Sequence, residues 1–240
     1  MLDMVKRHLA ADFDIAQERT PFQPAKNVNL VCDRAVVDKE IVAEEKKLCV
    51  VLRRDFRNWI SFLCGATVPT FPGPFKSLAA YRAASDDELE RNHDYVQLVF
   101  PRQNKSDYAN FDYYLDNRDM MVSGKVGTPI EVLHEILNND NSDIAAYIRG
   151  NVLENARRML HFWGFEVVIK EDGPRRWFEF HQIHMDVVKS KLTGGNHNEL
   201  RVSRLLEHLK AMGLEGCKES IKPELKKINP ETYRKYWGKI

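Results

Sequence analysis

Cysteine is scarce in this sequence: four in 240 residues, at Cys32, Cys49, Cys64 and Cys217, far apart and without a CxxC pair. That spacing excludes a disulfide-dense secreted scaffold. It reads instead as reduced, mostly buried thiols of a cytoplasmic or nuclear chain. Long apolar runs are also missing. The longest candidate, Leu48 to Leu52, is soon followed by Arg53, Arg54, Asp55 and Arg57, far short of the ~20 residues that span a membrane. Met1 to Ala10 mixes charge with apolar residues and has no apolar stretch of the signal-peptide kind. Nor is there an excess of either charge. The 36 basic and 35 acidic side chains give a net charge of +1, whereas a dedicated nucleic-acid binder carries a clear basic excess. No GxSxG elbow, Walker A loop, GxGxxG or HExxH pattern occurs, so neither nucleophilic, phosphate-loop nor zinc-protease chemistry has a signature. The expectation is a protein without catalytic residues, cofactor or metal. There is no repeat at a solenoid period and no low-complexity tract.

What the sequence does contain is an ordinary globular balance, 43% hydrophobic and 30% charged, spread along the whole length. A chain this long buries roughly 70% of its unfolded surface, so it needs no disulfide or metal to hold it. The periodicity predicts a mainly α protein, a single orthogonal multi-helix domain with at most a small β-hairpin. Three parts are expected: an N-terminal helical extension over 1–50, a helical domain over 51–216 and a helical tail over 217–240.

Within the first part, Val5, Leu9, Phe13 and Ala16 recur at helical spacing and Pro21 and Pro24 end the run. Asp38 to Leu63 predicts a helix with Ile41, Leu48, Leu52, Phe56, Trp59, Ile60 and Leu63 on one stripe, and Gly65 behind it. Three prolines between Val68 and Pro74 then forbid regular structure. Ser85 with Glu88 three residues later forms a capping-box pattern, and Asp86 and Asp87 suit the positive end of a helix dipole. A short helix over His93 to Phe100 stops at Pro101. Residues 102–127 read as a loop with a helical turn. Thr128-Pro129 marks a helix start, and Ser142 begins a long helix to about Trp163, with Gly164 at its end. Phe165 to Ile169, a turn at Glu171 to Pro174, and Arg175 to Phe180 read as a hairpin. Phe180, Ile183, Val187, Val188 and Leu192 favour a helix. After Gly194-Gly195, Asn196 or Asn198 caps another, which carries Leu200, Leu205, Leu206, Leu209 and Met212 to Gly213. Two short helical pieces follow Ser220, separated by Asn229-Pro230.

Two stretches are more specific than composition. Asp86 to Pro101 (DDELERNHDYVQLVFP) resembles the "LE-x-x-H-x-Y-I-Q-W-L-F-P" signature of the opioid growth factor receptor conserved region. Asn196 to Leu206, followed by Leu209 and Met212 to Glu215, is similar to that family's "N-H-x-x-L-R-I-T-R-I-L…L-G-L-E" segment. Between them, Arg158 to Phe165 resembles its "M-L-x-F-Y-G" helix end. The resemblance covers roughly Leu52 to Glu215. Leu98 stands where the family has tryptophan, and Ser203 where it has threonine. The resemblance implies a receptor-like binding protein that takes a peptide or protein ligand.

The residues that would carry recognition are His93, Tyr95, Gln97, Asn196, His197, Asn198, Arg201 and Arg204. On a helix His93 and Gln97 share a face, as do Arg201 and Arg204, which suit a carboxylate or phosphate in bidentate fashion. The same residues also serve as an internal hydrogen-bond network, caps and salt bridges. A second reading makes the basic helix 198–213 a nucleic-acid-associated element, and a third is an undescribed enzyme. Glu179, His181, His184 and Asp186 form the most metal-like cluster, with histidines three apart on an expected helix. The simpler reading is a solvated or core histidine pair.

Overall fold

The structure, a computed structural model, describes residues 22–23, 33–48, 54–71, 73–93, 95–101, 120–122, 125–127, 133, 136–137, 143–195 and 197–240. The expected helix over Leu2 to Arg19 and the Thr128-Pro129 start lie outside the described residues, although Leu133, Ile136 and Leu137 are buried.

Asp33 begins the first described helix. Its carboxylate accepts the amide of Ala35 at 2.8 Å and its carbonyl that of Val37 at 3.1 Å, so α1 (Arg34–Leu48) starts four residues ahead of Asp38. Residues 49–53 are not described, and α2 follows over Arg54–Leu63. The two helices are tied by Arg57, whose Nη2 lies 2.7 and 2.6 Å from the two carboxylate oxygens of the buried Glu45. Two short helices come next. Ser77 caps α3 (Leu78–Ala83), and Ser85 caps α4 (Asp86–Arg91) with the full reciprocal box to Glu88. The stretch before Pro101 forms only α5 (Tyr95–Val99), which leaves His93 ahead of the helix. Part of the expected loop is paired: β1 (Met120–Val122) and β2 (Lys125–Gly127) form an antiparallel hairpin.

The long helix α6 (Asp143–Phe162) runs through the middle of the core, with Ile144, Ile148, Val152, Ala156, Met159 and Leu160 all buried. Gly164 ends it at φ +97°. A Cβ there would stand 3.0 Å from the carbonyl of His184, so only glycine fits both the left-handed turn and the close approach. The hairpin of β3 (Phe165–Asp172) and β4 (Arg175–Ile183) is longer than the sequence predicted. Phe180 and Ile183 belong to β4, not to a helix; α7 starts later, over Met185–Leu192. The register slips between Glu166 and Val167, which pair with Gln182 and Phe180, so His181 is the extra residue of a β-bulge.

The last third packs back onto this frame. Helix α8 (His197–Ala211) ends in a left-handed Gly213. Leu214 donates to Leu209 at 2.8 Å and Gly213 to Lys210 at 3.1 Å, the paired bonds of a Schellman end. Helix α9 (Glu215–Ile228) begins five residues before the expected Ser220 and lies on β4. Asn229 caps α10 (Pro230–Lys235), and a 3₁₀ turn over Trp237–Lys239 closes the chain. One buried apolar cluster extends from Val37 to Trp237. The protein is mainly α, as the periodicity predicts. Among the described residues no helix is long and apolar enough to cross a membrane.

Candidate recognition site

The two signature stretches meet where α4, α5, α7 and α8 converge. Arg201 on α8 donates through Nη2 to Nδ1 of His93 at 3.0 Å and through Nη1 to Oδ1 of Asn198 at 3.0 Å. Its guanidinium carbon lies 5.7 Å from the ring centre of Tyr95 and 5.9 Å from that of Phe162. Arg201 is therefore a buried hub facing two aromatic rings, 5% exposed. Asn198 is buried inside the first turn of α8, not ahead of it as a cap, and its Oδ1 also accepts from the Trp163 indole at 3.4 Å. Asn196 lies outside the described residues.

Above this hub the surface is open. His93 and His197 are exposed and their rings meet edge to face, 4.8 Å between centroids. The Nε2 of His197 lies 3.0 Å from a Glu90 carboxylate oxygen, and the other oxygen of Glu90 bonds the Lys191 ammonium. Burial alone would raise the Glu90 pKa. The bond and charge of Lys191, with His197 and Arg201 behind it, hold it below the ordinary value. Burial and then the Arg201 charge lower the His197 pKa, against the opposing pull of Glu90. Burial raises the phenol pKa of Tyr95. Gln97 is half-buried.

Arg204 points elsewhere. It is buried and donates to the carbonyl of Phe100 at 3.4 Å, while Nδ1 of His208 bonds the carbonyl of Pro101 at 3.0 Å. Arg201 and Arg204 thus each tie α8 to the α4–α5 stretch, and the pair does not form an open clamp. Three residues of the junction escaped the sequence reading. Glu90 and Lys191 look like ordinary surface charges. Leu200 counted among the apolar residues of the expected helix, yet it is 66% exposed, one turn from His197.

A second polar group is hidden under the chain. Asn151, Glu154, Asn155 and Arg158 line one buried face of α6. Arg82 donates to the side-chain oxygens of Asn151 (2.5 Å) and Asn155 (2.9 Å); burial lowers its pKa to about 10. Arg158 donates to the Ala84 carbonyl at 2.7 Å and to Asp86 at 2.9 Å. These bonds fasten α3 and α4 to α6.

The metal-like cluster does not share a helix. Glu179 and His181 lie on β4, His184 precedes α7, and Asp186 is in its first turn. His181 sits 3.2 Å from Glu179, and His184 2.9 Å from Glu166. Among the described residues no group of three or more His, Cys, Asp or Glu is placed to hold a metal ion.

Fold and junction together define a mainly helical protein whose two signature segments are locked to each other through buried arginines. A family model, the opioid growth factor receptor (OGFr) conserved region, matches residues 76–222. That is more than half of the chain, and the chain belongs to this family. No curated protein and no solved structure matches it.

Proposed function

We propose that this protein acts by binding, and that it recognises a peptide or protein partner through the surface formed by His93, His197 and Leu200. The observation that carries the reading is the meeting of His93 with Arg201 and His197. It sets two exposed imidazoles over a buried, rigid support, and Leu200 supplies an apolar contact beside them. Rigid aromatic or imidazole groups flanked by an apolar anchor give contact area at little entropic cost. Tyr95, Asn198 and Arg201 support the surface from below, and Glu90 and Lys191 form its charged rim. A cytoplasmic or nuclear location belongs to the same proposal, supported by the buried free thiols of Cys64 and Cys217. Nucleic-acid binding through α8 has less support, because Arg201 and Arg204 turn their guanidiniums inward.

The test is affinity capture from the native organism with mass spectrometry of bound proteins and peptides, comparing the natural chain with His197→Ala and Leu200→Glu. Both residues are exposed, so both variants should fold and melt as the parent does. Loss of the same specific partner from both supports the surface, and unchanged capture overturns it.

A further inference from the structure

We propose that the cleft between α6 and β3 is a binding site for a small planar aromatic acid, separate from the surface described above. The cleft encloses about 300 Å³, the small end of the range for ligand sites. Its walls include Phe165, Glu166, Val167 and Val168, four consecutive residues of β3. Alternate strand residues face opposite sides, so a cavity that touches four in a row lies along the strand's edge and not over one face. Among the described residues β3 pairs only with β4. The bulge residue His181 and, from α6, Arg157 and His161 complete the wall.

The chain itself shows which chemistry these walls accept. The ring of Phe22, at the rim, lies 4.5 Å from the guanidinium carbon of Arg157 and 5.4 Å from that of Arg158. It meets the His161 ring edge to face at 5.4 Å. Beside it, Nη2 of Arg157 donates to the carbonyl of Gln23 at 2.6 Å. An aromatic ring and a neighbouring oxygen acceptor are thus already held together by the residues that line the cleft. Arg157 spends Nε and Nη2 on Glu154 and Gln23, and Nη1 makes no hydrogen bond among the described residues. A ligand that repeats the pattern places its ring against Phe22 and His161 and its carboxylate on Nη1, a charge-assisted bond. Val168, 37% exposed, stands at the mouth.

The experiment follows the imidazole signals of His161 and His181 by NMR as the full chain is titrated with phenylacetate. Saturable shifts of both are expected. Cyclohexylacetate, with the same acid on a saturated ring, and benzyl alcohol, with the ring and no acid, should each bind roughly tenfold more weakly. Val168→Arg should abolish the shifts and Leu200→Glu leave them unchanged, while His181→Ala should weaken binding as read from His161 alone. Absence of saturable shifts overturns the proposal, as do equal affinity for cyclohexylacetate and full binding by Val168→Arg. Tighter binding of N-acetylphenylalanine amide than of phenylacetate would assign the cleft to a partner's side chain and overturn the free acid.

Discussion

Arg201 and His93, 108 positions apart in sequence, are joined at 3.0 Å between Nη2 and Nδ1. A guanidinium has only donors, so Nδ1 of His93 must accept, and the ring carries its proton on Nε2. Replacing His93 with alanine leaves the guanidinium short of one partner, and the expected loss is about 1–3 kcal/mol in urea unfolding. His181→Ala, at an exposed bulge position, should stay within about 0.5 kcal/mol of the parent. If the two variants are equally stable, the Arg201–His93 bond does not hold the junction together.

The same junction sets an acid response in two steps. The folded pKa of His197 lies below its ordinary 6.5. The unfolded chain therefore takes up this proton first, and stability present above 6.5 is lost as pH falls through that value toward the folded one. The folded pKa of Glu90 lies below its ordinary 4.5. Its contribution is complete above 4.5 and is lost as pH falls from there through the folded value. Urea midpoints measured across this range should fall first below 6.5 and again below 4.5. His197→Ala should remove the upper step and Glu90→Gln the lower one. An upper step that survives His197→Ala would assign it to another group.

How much of this was legible in the sequence depended on the distance to the partner. The Ser85–Glu88 box, the Gly213 helix end and the Gly173 turn are local devices, and each reads directly from neighbouring residues. Phe180 and Ile183 were placed in a helix because three- and four-residue apolar spacings also arise where a strand runs straight into a helix. Asn151, Asn155 and Arg158 are buried because Arg82, Ala84 and Asp86, about seventy residues away, descend on them, and no local pattern announces that. The site divided in the same way. The motifs identified His93 and Arg201. Only the fold could show that Arg201 is buried, that Arg204 serves Phe100, and that Leu200 faces outward.

Gly216 tests how closely α9 and β4 are fitted. A Cβ at this position would stand 2.3 Å from the carbonyl oxygen of Arg176, which is backbone and has no side-chain freedom to yield. Gly216→Ala must push the helix off the hairpin, with an expected loss of about 1–3 kcal/mol. Gly173, at φ +56°, has open space around it. Alanine there should cost only the left-handed penalty, about 1 kcal/mol. Urea unfolding of the two variants should rank Gly216→Ala as the more damaging. The reverse order would mean that the α9–β4 contact relaxes freely.

The end of the described chain reaches back to the recognition surface through Glu199. Trp237 is fully buried and its indole donates to the Glu199 carbonyl at 3.1 Å. The carboxylate of the same residue accepts from the Gly195 amide at 3.2 Å and the Thr232 hydroxyl at 3.3 Å. Glu199 lies between His197 and Leu200, so this corner positions the first turn of α8. Trp237→Ala should cost about 3–5 kcal/mol by emptying the corner. Trp237→Phe keeps a ring but removes the donor, a loss of about 1–2 kcal/mol. Amide exchange in the first turn of α8 should quicken in both variants, and more in alanine. If exchange there is unchanged while global stability falls, the corner stabilises the core without positioning His197 and Leu200.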